Sequence, residues 1–140
     1  MSASFETTTQ VRFAHVDGAS IVFYPRYFEM LNAAIEDWFE QELGADFRSM
    51  HVGRGIGIPT VRIETEFMSP SILGDRLSIC ITPIKVGRTS CTYEASFRCG
   101  DELRLKTTAT LVCMDLKLQQ SMPWPEDIRA GMLGDPVTIE

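Results

Sequence analysis

At 140 residues, with 44% hydrophobic and 23% charged side chains, the chain has room for one buried core and is expected to form a single domain over residues 1–140. A formal net charge of −6 excludes the broadly basic surface that non-specific nucleic-acid binding needs, while a local basic cluster can still meet a phosphorylated ligand. No apolar run approaches the roughly 18 residues of a membrane span, and residues 1–10 hold no basic leader region, so no membrane partner and a cytoplasmic location are expected.

Residues 5–16 read as a first strand with Phe5, Thr7, Thr9, Val11 and Phe13 on one face. From about Val22 to Leu43 the period becomes helical: Phe23, Tyr27, Leu31, Ala34 or Ile35, Trp38 and Glu42 or Leu43 step by about three or four. Pro25 falls in the first turn and Gly44 marks a stop. Glu36, Asp37, Glu40 and Glu42 make the opposite face acidic and solvated. Residues 45–56 are irregular. The string Gly53, Gly55, Gly57 precedes a strand and lacks the strand–turn–helix setting of a phosphate loop.

The rest is almost entirely β. Ile58–Met68, Arg76–Val86, Ser90–Cys99 and Glu102–Asp115 alternate apolar and polar residues, with turn signals at Ser69-Pro70, Leu73-Gly74-Asp75, Val86-Gly87-Arg88 and Gly100-Asp101. These last four strands are expected to form an antiparallel meander. From about residue 117 the chain reads as an irregular tail marked by Pro123, Pro125 and Pro136, with one helical turn near Glu126–Met132. The order β-α-β-β-β-β predicts an α+β fold in which one long helix covers an antiparallel sheet of about five strands. Cys80, Cys91, Cys99 and Cys113 contain no C-x-x-C pair, and His15 and His51 lie far apart, so packed, reduced thiols and no metal site are expected.

One acid stands out. Asp17 comes after a β segment and precedes a small-residue turn (Gly18, Ala19, Ser20) and then the helix, where a carboxylate sits beside free N–H groups at the positive helix end. Such an Asp can act as nucleophile or general base, or merely cap a turn or a helix.

The spacing F-x-x-x-D-x-x-x-I-V-F-Y-P-x-Y over residues 13–27 resembles the active-site signature of hotdog-fold acyl-CoA thioesterases of the 4-hydroxybenzoyl-CoA thioesterase type. F-M-S-P-S-I-L-G-D-R-L at 67–77 and, more weakly, V-G-R-T-S at 86–90 extend the resemblance over roughly Thr8 to Leu116. It implies the hotdog fold and hydrolysis of an aryl- or short-chain acyl-CoA, with Asp17 as nucleophile or general base. An amide around Phe23 and Tyr24 would serve as oxyanion donor; Pro25 has none to give. Ile58, Pro59 and Thr60 would line the acyl pocket, and Lys85, Arg88 and Thr89 would meet the coenzyme's phosphates.

Two positions depart from the family form. His15 occupies the first acidic place of F-x-D-x-D, two residues from Asp17 along an expected strand, where it can tune the acid. Ser20 replaces a glycine that lets the substrate carbonyl approach the backbone, and its hydroxyl can cap the helix. The resemblance further implies no metal or redox cofactor, coenzyme A arriving only as part of the substrate. It implies a homodimer, and from it a dimer-of-dimers homotetramer, with each site shared between Asp17 of one subunit and the second-strand region of the other. A non-catalytic acyl-thioester-binding protein and an acyl-thioester hydratase are the alternatives. The latter needs a histidine facing an acid across the site, and His15 lies in the wrong setting for that.

Overall fold

Alternation of apolar and polar side chains builds the sheet. In the computed structural model, which describes residues 4–134, the elements in chain order are β1 (Phe5–Gln10), α1 (Pro25–Gln41), β2 (Ile56–Gly57), β3 (Thr60–Phe67), β4 (Arg76–Val86), β5 (Ser90–Cys99), β6 (Glu102–Val112), β7 (Met114–Asp115), β8 (Gln120–Ser121) and α2 (Glu126–Leu133). Pro136 of the expected tail lies outside the described residues.

The main sheet runs β1-β4-β5-β6-β3, antiparallel throughout. Its inner face is apolar, with Leu77, Ile79 and Ile81 of β4 and Tyr93, Ala95 and Phe97 of β5 fully buried. Thr107 stands among them on β6; its hydroxyl donates to the Glu64 carbonyl at 2.9 Å, so the buried oxygen is satisfied. Over this face lies α1, burying Tyr27, Met30, Leu31, Ala34, Ile35, Trp38 and Phe39, the i, i+3, i+4 stripe of an amphipathic helix. Tyr27 meets Phe97 edge-on at 5.8 Å and Trp38 meets Tyr93 at 6.5 Å. Gly44, at φ 63°, ends the helix in the left-handed conformation that favours glycine.

Four expectations are corrected. First, only β4, β5 and β6 form a meander. β3 pairs with β6 at the far edge, from Thr60 opposite Leu111 to Phe67 opposite Leu105. The connection from β3 to β4 is therefore a crossover, and Arg104 on β6 holds it. Arg104 Nη1 donates to the Pro70 carbonyl (3.1 Å), Ser71 Oγ (3.1 Å) and Asp75 Oδ2 (2.8 Å). Second, the first strand stops at Gln10. Val11 exchanges backbone bonds with Gly74 and Asp75, and residues Phe13–His15 turn in a 3₁₀ loop that leaves Phe13 on the surface.

Third, residues 45–56 are partly ordered, with a π-helical turn at Ser49–Arg54 that buries Met50. Fourth, the tail is structured. β8 joins β2 and β7 in a small second sheet, and α2 seats Ile128 and Met132 in the core.

Candidate active site

The segment between β1 and α1 folds as a tight hairpin. Val16 bridges Val22, the Asp17 N–H bonds the Ile21 carbonyl at 3.0 Å, and the Ser20 N–H bonds the Asp17 carbonyl at 2.9 Å. Ser20 closes the turn at φ 68°, a left-handed backbone that costs any residue with a Cβ about 1–2 kcal/mol. This backbone conformation is itself one that favours glycine at the position.

At the hairpin tip, Asp17 is exposed. Its Oδ1 accepts the Ala19 N–H at 2.8 Å, an Asx-turn, and its Oδ2 has no partner among the described residues. The structure thus supplies the turn-capping role and leaves one carboxylate oxygen open.

His15 does not share a strand face with Asp17. It ends the 3₁₀ turn, giving its N–H to the Arg12 carbonyl at 2.9 Å, while its Nδ1 accepts the Arg12 N–H at 2.8 Å. That bond requires an unprotonated Nδ1, so in the neutral ring the proton sits on Nε2.

The His15 carbonyl has its own partner, the Phe23 N–H at 2.9 Å. Of the two amides expected as oxyanion donor, that of Phe23 is thus engaged within the backbone. Arg26 and Tyr27 donate to the carbonyls of Phe23 (2.8 Å) and Tyr24 (3.1 Å), and Pro25 has no N–H. This leaves the Tyr24 N–H without a partner among the described residues at the head of α1, whose first turn holds no acidic side chain to offset the helix dipole. The hairpin is fixed to the β3–β4 crossover: the Val22 N–H bonds the Ser71 carbonyl at 2.9 Å and Ile21 bridges Ile72. The second motif thereby supports the first.

A cavity of about 380 Å³ borders Tyr24, walled by Ile21, Val22, Tyr27, Phe67 and Met68. Two others, of about 540 and 480 Å³, run along α1 and share Asn32, Ile58 and Thr60. Ile58 and Thr60 are thus cavity-lining residues, whereas Pro59 lines neither cavity and its carbonyl accepts the Val112 N–H at 3.0 Å. Asn32 escapes a reading of the sequence, since one polar residue on the open side of an amphipathic helix looks like ordinary surface. Within one protomer, these cavities share no lining residue with the Tyr24 cavity.

Lys85 and Arg88 are exposed on the β4–β5 turn and have no acidic partner among the described residues; Thr89 is half-buried, its carbonyl bonded by the Cys113 N–H at 2.8 Å. The three share no cavity or hydrogen bond with Asp17 in the same protomer. Burial raises the Cys91 thiol to about 12 and the Cys113 thiol to about 11, which keeps both protonated and inert. Among the described residues no three His, Cys, Asp or Glu side chains cluster as a metal site would require.

A family model described as the thioesterase-like superfamily matches residues 11–132. The chain belongs to that superfamily. Its fold is the hotdog fold of the thioesterases it resembles. Among its relatives, 1,4-dihydroxy-2-naphthoyl-CoA hydrolases from Thermosynechococcus vestitus and Synechocystis are each 29% identical, covering 90% and 88% of this chain and 86% and 90% of their own length. The crystal structure of a 1,4-dihydroxy-2-naphthoyl-CoA thioesterase from Synechocystis superposes with a TM-score of 0.81 at 25% identity, over 96% of this chain and 100% of that one. A gentisyl-coenzyme A thioesterase shares the fold with a TM-score of 0.82 at 23% identity, over 91% of this chain and 99% of that one. Among the described residues of this thioesterase-like chain, no helix is long and apolar enough to cross a membrane.

Proposed function

We propose that this protein hydrolyses an aryl-CoA thioester to the free acid and coenzyme A, with Asp17 as nucleophile or general base and the Tyr24 N–H as oxyanion donor. The observation that carries the reading is that the Phe23 N–H to His15 carbonyl bond joins the hairpin bearing Asp17, with one carboxylate oxygen open, to the head of α1, where the Tyr24 amide has no partner among the described residues. The likeness to 1,4-dihydroxy-2-naphthoyl-CoA hydrolases supports a hydroxyaryl acyl group.

The thioester carbonyl accepts the Tyr24 N–H, and charge developing on its oxygen is stabilised by that amide and by the dipole of α1. Asp17 attacks the carbonyl carbon and the thiolate of coenzyme A departs, leaving a mixed anhydride that water opens to return the carboxylate. Alternatively, Asp17 takes a proton from the water that attacks. The thiolate is a good leaving group, so neither route needs a general acid. His15 contributes through its backbone: by engaging the Phe23 amide, it makes Tyr24 the donor.

In this reading two protomers pair through β3. That edge strand exposes Val61, Ile63 and Phe67, an apolar and unpaired edge that a second copy would cover. Pairing would bring the Ile58–Thr60 and Asn32 cavities of one protomer to the Asp17 loop of the other. No metal or redox cofactor enters the scheme.

A non-catalytic acyl-thioester binder is the second reading, favoured by the Asx-turn that gives Asp17 a structural task. Thiol release against 1,4-dihydroxy-2-naphthoyl, gentisyl, hydroxybenzoyl, benzoyl, phenylacetyl and short aliphatic CoA esters decides between them. Turnover of the hydroxyaryl esters is expected. Binding without thiol release from any ester would leave the second reading.

A further inference from the structure

The β4–β5 turn is held by the C-terminal part of the chain. The Val86 carbonyl accepts Arg129 Nη2 at 3.2 Å and the Gly87 carbonyl accepts Arg129 Nε at 3.2 Å. The Arg88 carbonyl accepts the Trp124 N–H at 2.9 Å, and the Thr89 carbonyl accepts the Cys113 N–H at 2.8 Å. The Gly87 N–H closes the turn on the Ser90 carbonyl at 2.8 Å. Every carbonyl from 86 to 89 is thus engaged by a donor lying beyond the β4–β5–β6 meander, while the side chains of Lys85 and Arg88 remain exposed.

The holder is itself anchored. Ile128 and Met132 of α2 are fully buried, and Gly131 packs against Leu43 just after α1, where an added Cβ would come within 2.7 Å of Leu43 Cδ2 and push that side chain aside. Asp127 accepts two bonds from Arg54, at 2.9 and 3.3 Å, tying the same helix to the π-helical turn. Arg129 makes no ion pair among the described residues. Its guanidinium directs its fork at two neutral carbonyls and leaves its charge beneath a turn that already carries Lys85 and Arg88. Solvent would satisfy the carbonyls of an exposed hairpin turn, so closing it needs no guanidinium. The fork adds a fixed backbone direction and a third positive charge.

We propose that Arg129 is a positioning residue for the coenzyme's nucleotide: through the carbonyls of Val86 and Gly87 it fixes the turn so that Lys85 and Arg88 meet the phosphates preorganised. The inference rests on the reading of that turn as the phosphate contact. Its test compares Arg129→Ala, Arg129→Lys, Arg88→Ala and Lys85→Ala/Arg88→Ala on an aryl-CoA and on the matching pantetheine thioester, which lacks the nucleotide.

Arg88→Ala should raise KM for the CoA ester roughly fivefold, as a lost exposed ion pair does, and leave kcat unchanged. Arg129→Ala should also raise it several-fold, Arg129→Lys less, and neither should move KM for the pantetheine ester. In the Lys85→Ala/Arg88→Ala background, Arg129→Ala should add nothing, because a positioning residue has then nothing to position. Amide exchange over residues 85–90, measured without substrate, should quicken in Arg129→Ala. If Arg129→Ala destabilises the fold, Arg129→Lys, which keeps charge and stem but not the fork, carries the same comparison.

Unchanged exchange, or effects that multiply fully with those of Lys85 and Arg88, would overturn the positioning role while leaving the turn as the nucleotide contact. A KM untouched in Lys85→Ala/Arg88→Ala would remove that contact, and the role of Arg129 with it.

Discussion

Phe23 gives its backbone N–H to the carbonyl of His15 at 2.9 Å, and this one bond selects which amide at the head of α1 stays free. Tyr24 comes next, its N–H without a partner among the described residues, and Pro25 has none. The hairpin that carries Asp17 and the helix start that carries Tyr24 are therefore joined by the same contact.

Asp17→Asn should fold normally and lose on the order of 100-fold or more in kcat. Asparagine keeps an oxygen for the Ala19 N–H, so the Asx-turn survives, but it is neither nucleophile nor general base. Thiol release and a melting curve on the same preparation separate the two roles. Near-native turnover would confine Asp17 to the turn.

Tyr24 has φ −52°, within the range proline imposes, so Tyr24→Pro deletes the proposed oxyanion donor at a compatible backbone angle. Tyr24→Ala is the control: it removes the ring and keeps the amide. The proline variant should lose on the order of 100-fold in kcat relative to the alanine variant, the usual cost of one oxyanion-hole donor. Equal rates would mean that the amide does not touch the reacting oxygen.

These two residues differ in how readable they are from sequence. Asp17 announces itself by residue type and by the small-residue turn and helix start after it. The choice between Phe23 and Tyr24 turns on a backbone bond that no side chain encodes. The same division runs through the fold. Leu77, Ile79 and Ile81 declare β4 because alternation is local, but Val61, Ile63 and Phe67 alternate just as well on β3, where they stand exposed at an edge. Which strand β3 joins is a long-range pairing that local alternation does not encode, and Arg104, which holds the β3–β4 connection, reads in a strand pattern as solvent-facing. The helical turn near Glu126–Met132 is legible in the sequence, but its burial is not: Pro123 and Pro125 suggest an irregular tail, yet Ile128 and Met132, one turn apart, anchor α2 in the core.

Ser20→Gly should stabilise the protein by up to about 1 kcal/mol, because glycine adopts φ 68° without the Cβ penalty and the entropy lost by its freer unfolded chain offsets only part of the gain. Ser20→Val should destabilise it by more, since a β-branched residue is strained there. Thermal melts of the three proteins check the order Gly, Ser, Val. A glycine variant melting below the native protein would mean that the Ser20 hydroxyl stabilises the turn through a contact of its own.

Acid should weaken the protein through Asp75. The Ile72 N–H (3.0 Å) and then Arg104 (2.8 Å) hold its carboxyl below the usual carboxylate range. A folded-state value below the unfolded one means the stabilisation is complete above about pH 4, the ordinary Asp range, and is lost as pH falls through the lower folded value. Asp75→Asn should therefore cost about 2–3 kcal/mol at neutral pH, for a charged hydrogen bond lost beside a mostly buried guanidinium. The gap to the native protein should close in strong acid, where Asp75 itself is neutral. Denaturant titrations at several pH values measure both, and a gap independent of pH would exclude the ion pair as its source.

Ile63→Lys tests the shared site. Ile63 lies near the middle of β3, is 43% exposed, and occupies the free edge of the sheet. In an antiparallel pairing about a two-fold axis, a residue near the strand centre faces its own copy, so each protomer would bring a lysine against a lysine. Lysine is also what sheets use to keep edges from pairing. The protomer should tolerate the change, because a side chain this exposed contributes little to the core. Light scattering should show the native protein as a dimer or larger and the variant as a folded monomer without thioesterase activity. Diluting the native protein below its dissociation constant should abolish activity in parallel, without any substitution. Ile63 also lines the cavity of about 540 Å³, so Ile63→Ala, which trims the wall and leaves no charge at the edge, separates a pocket effect from an assembly effect. Full activity in the monomeric lysine variant would place the whole site within one protomer.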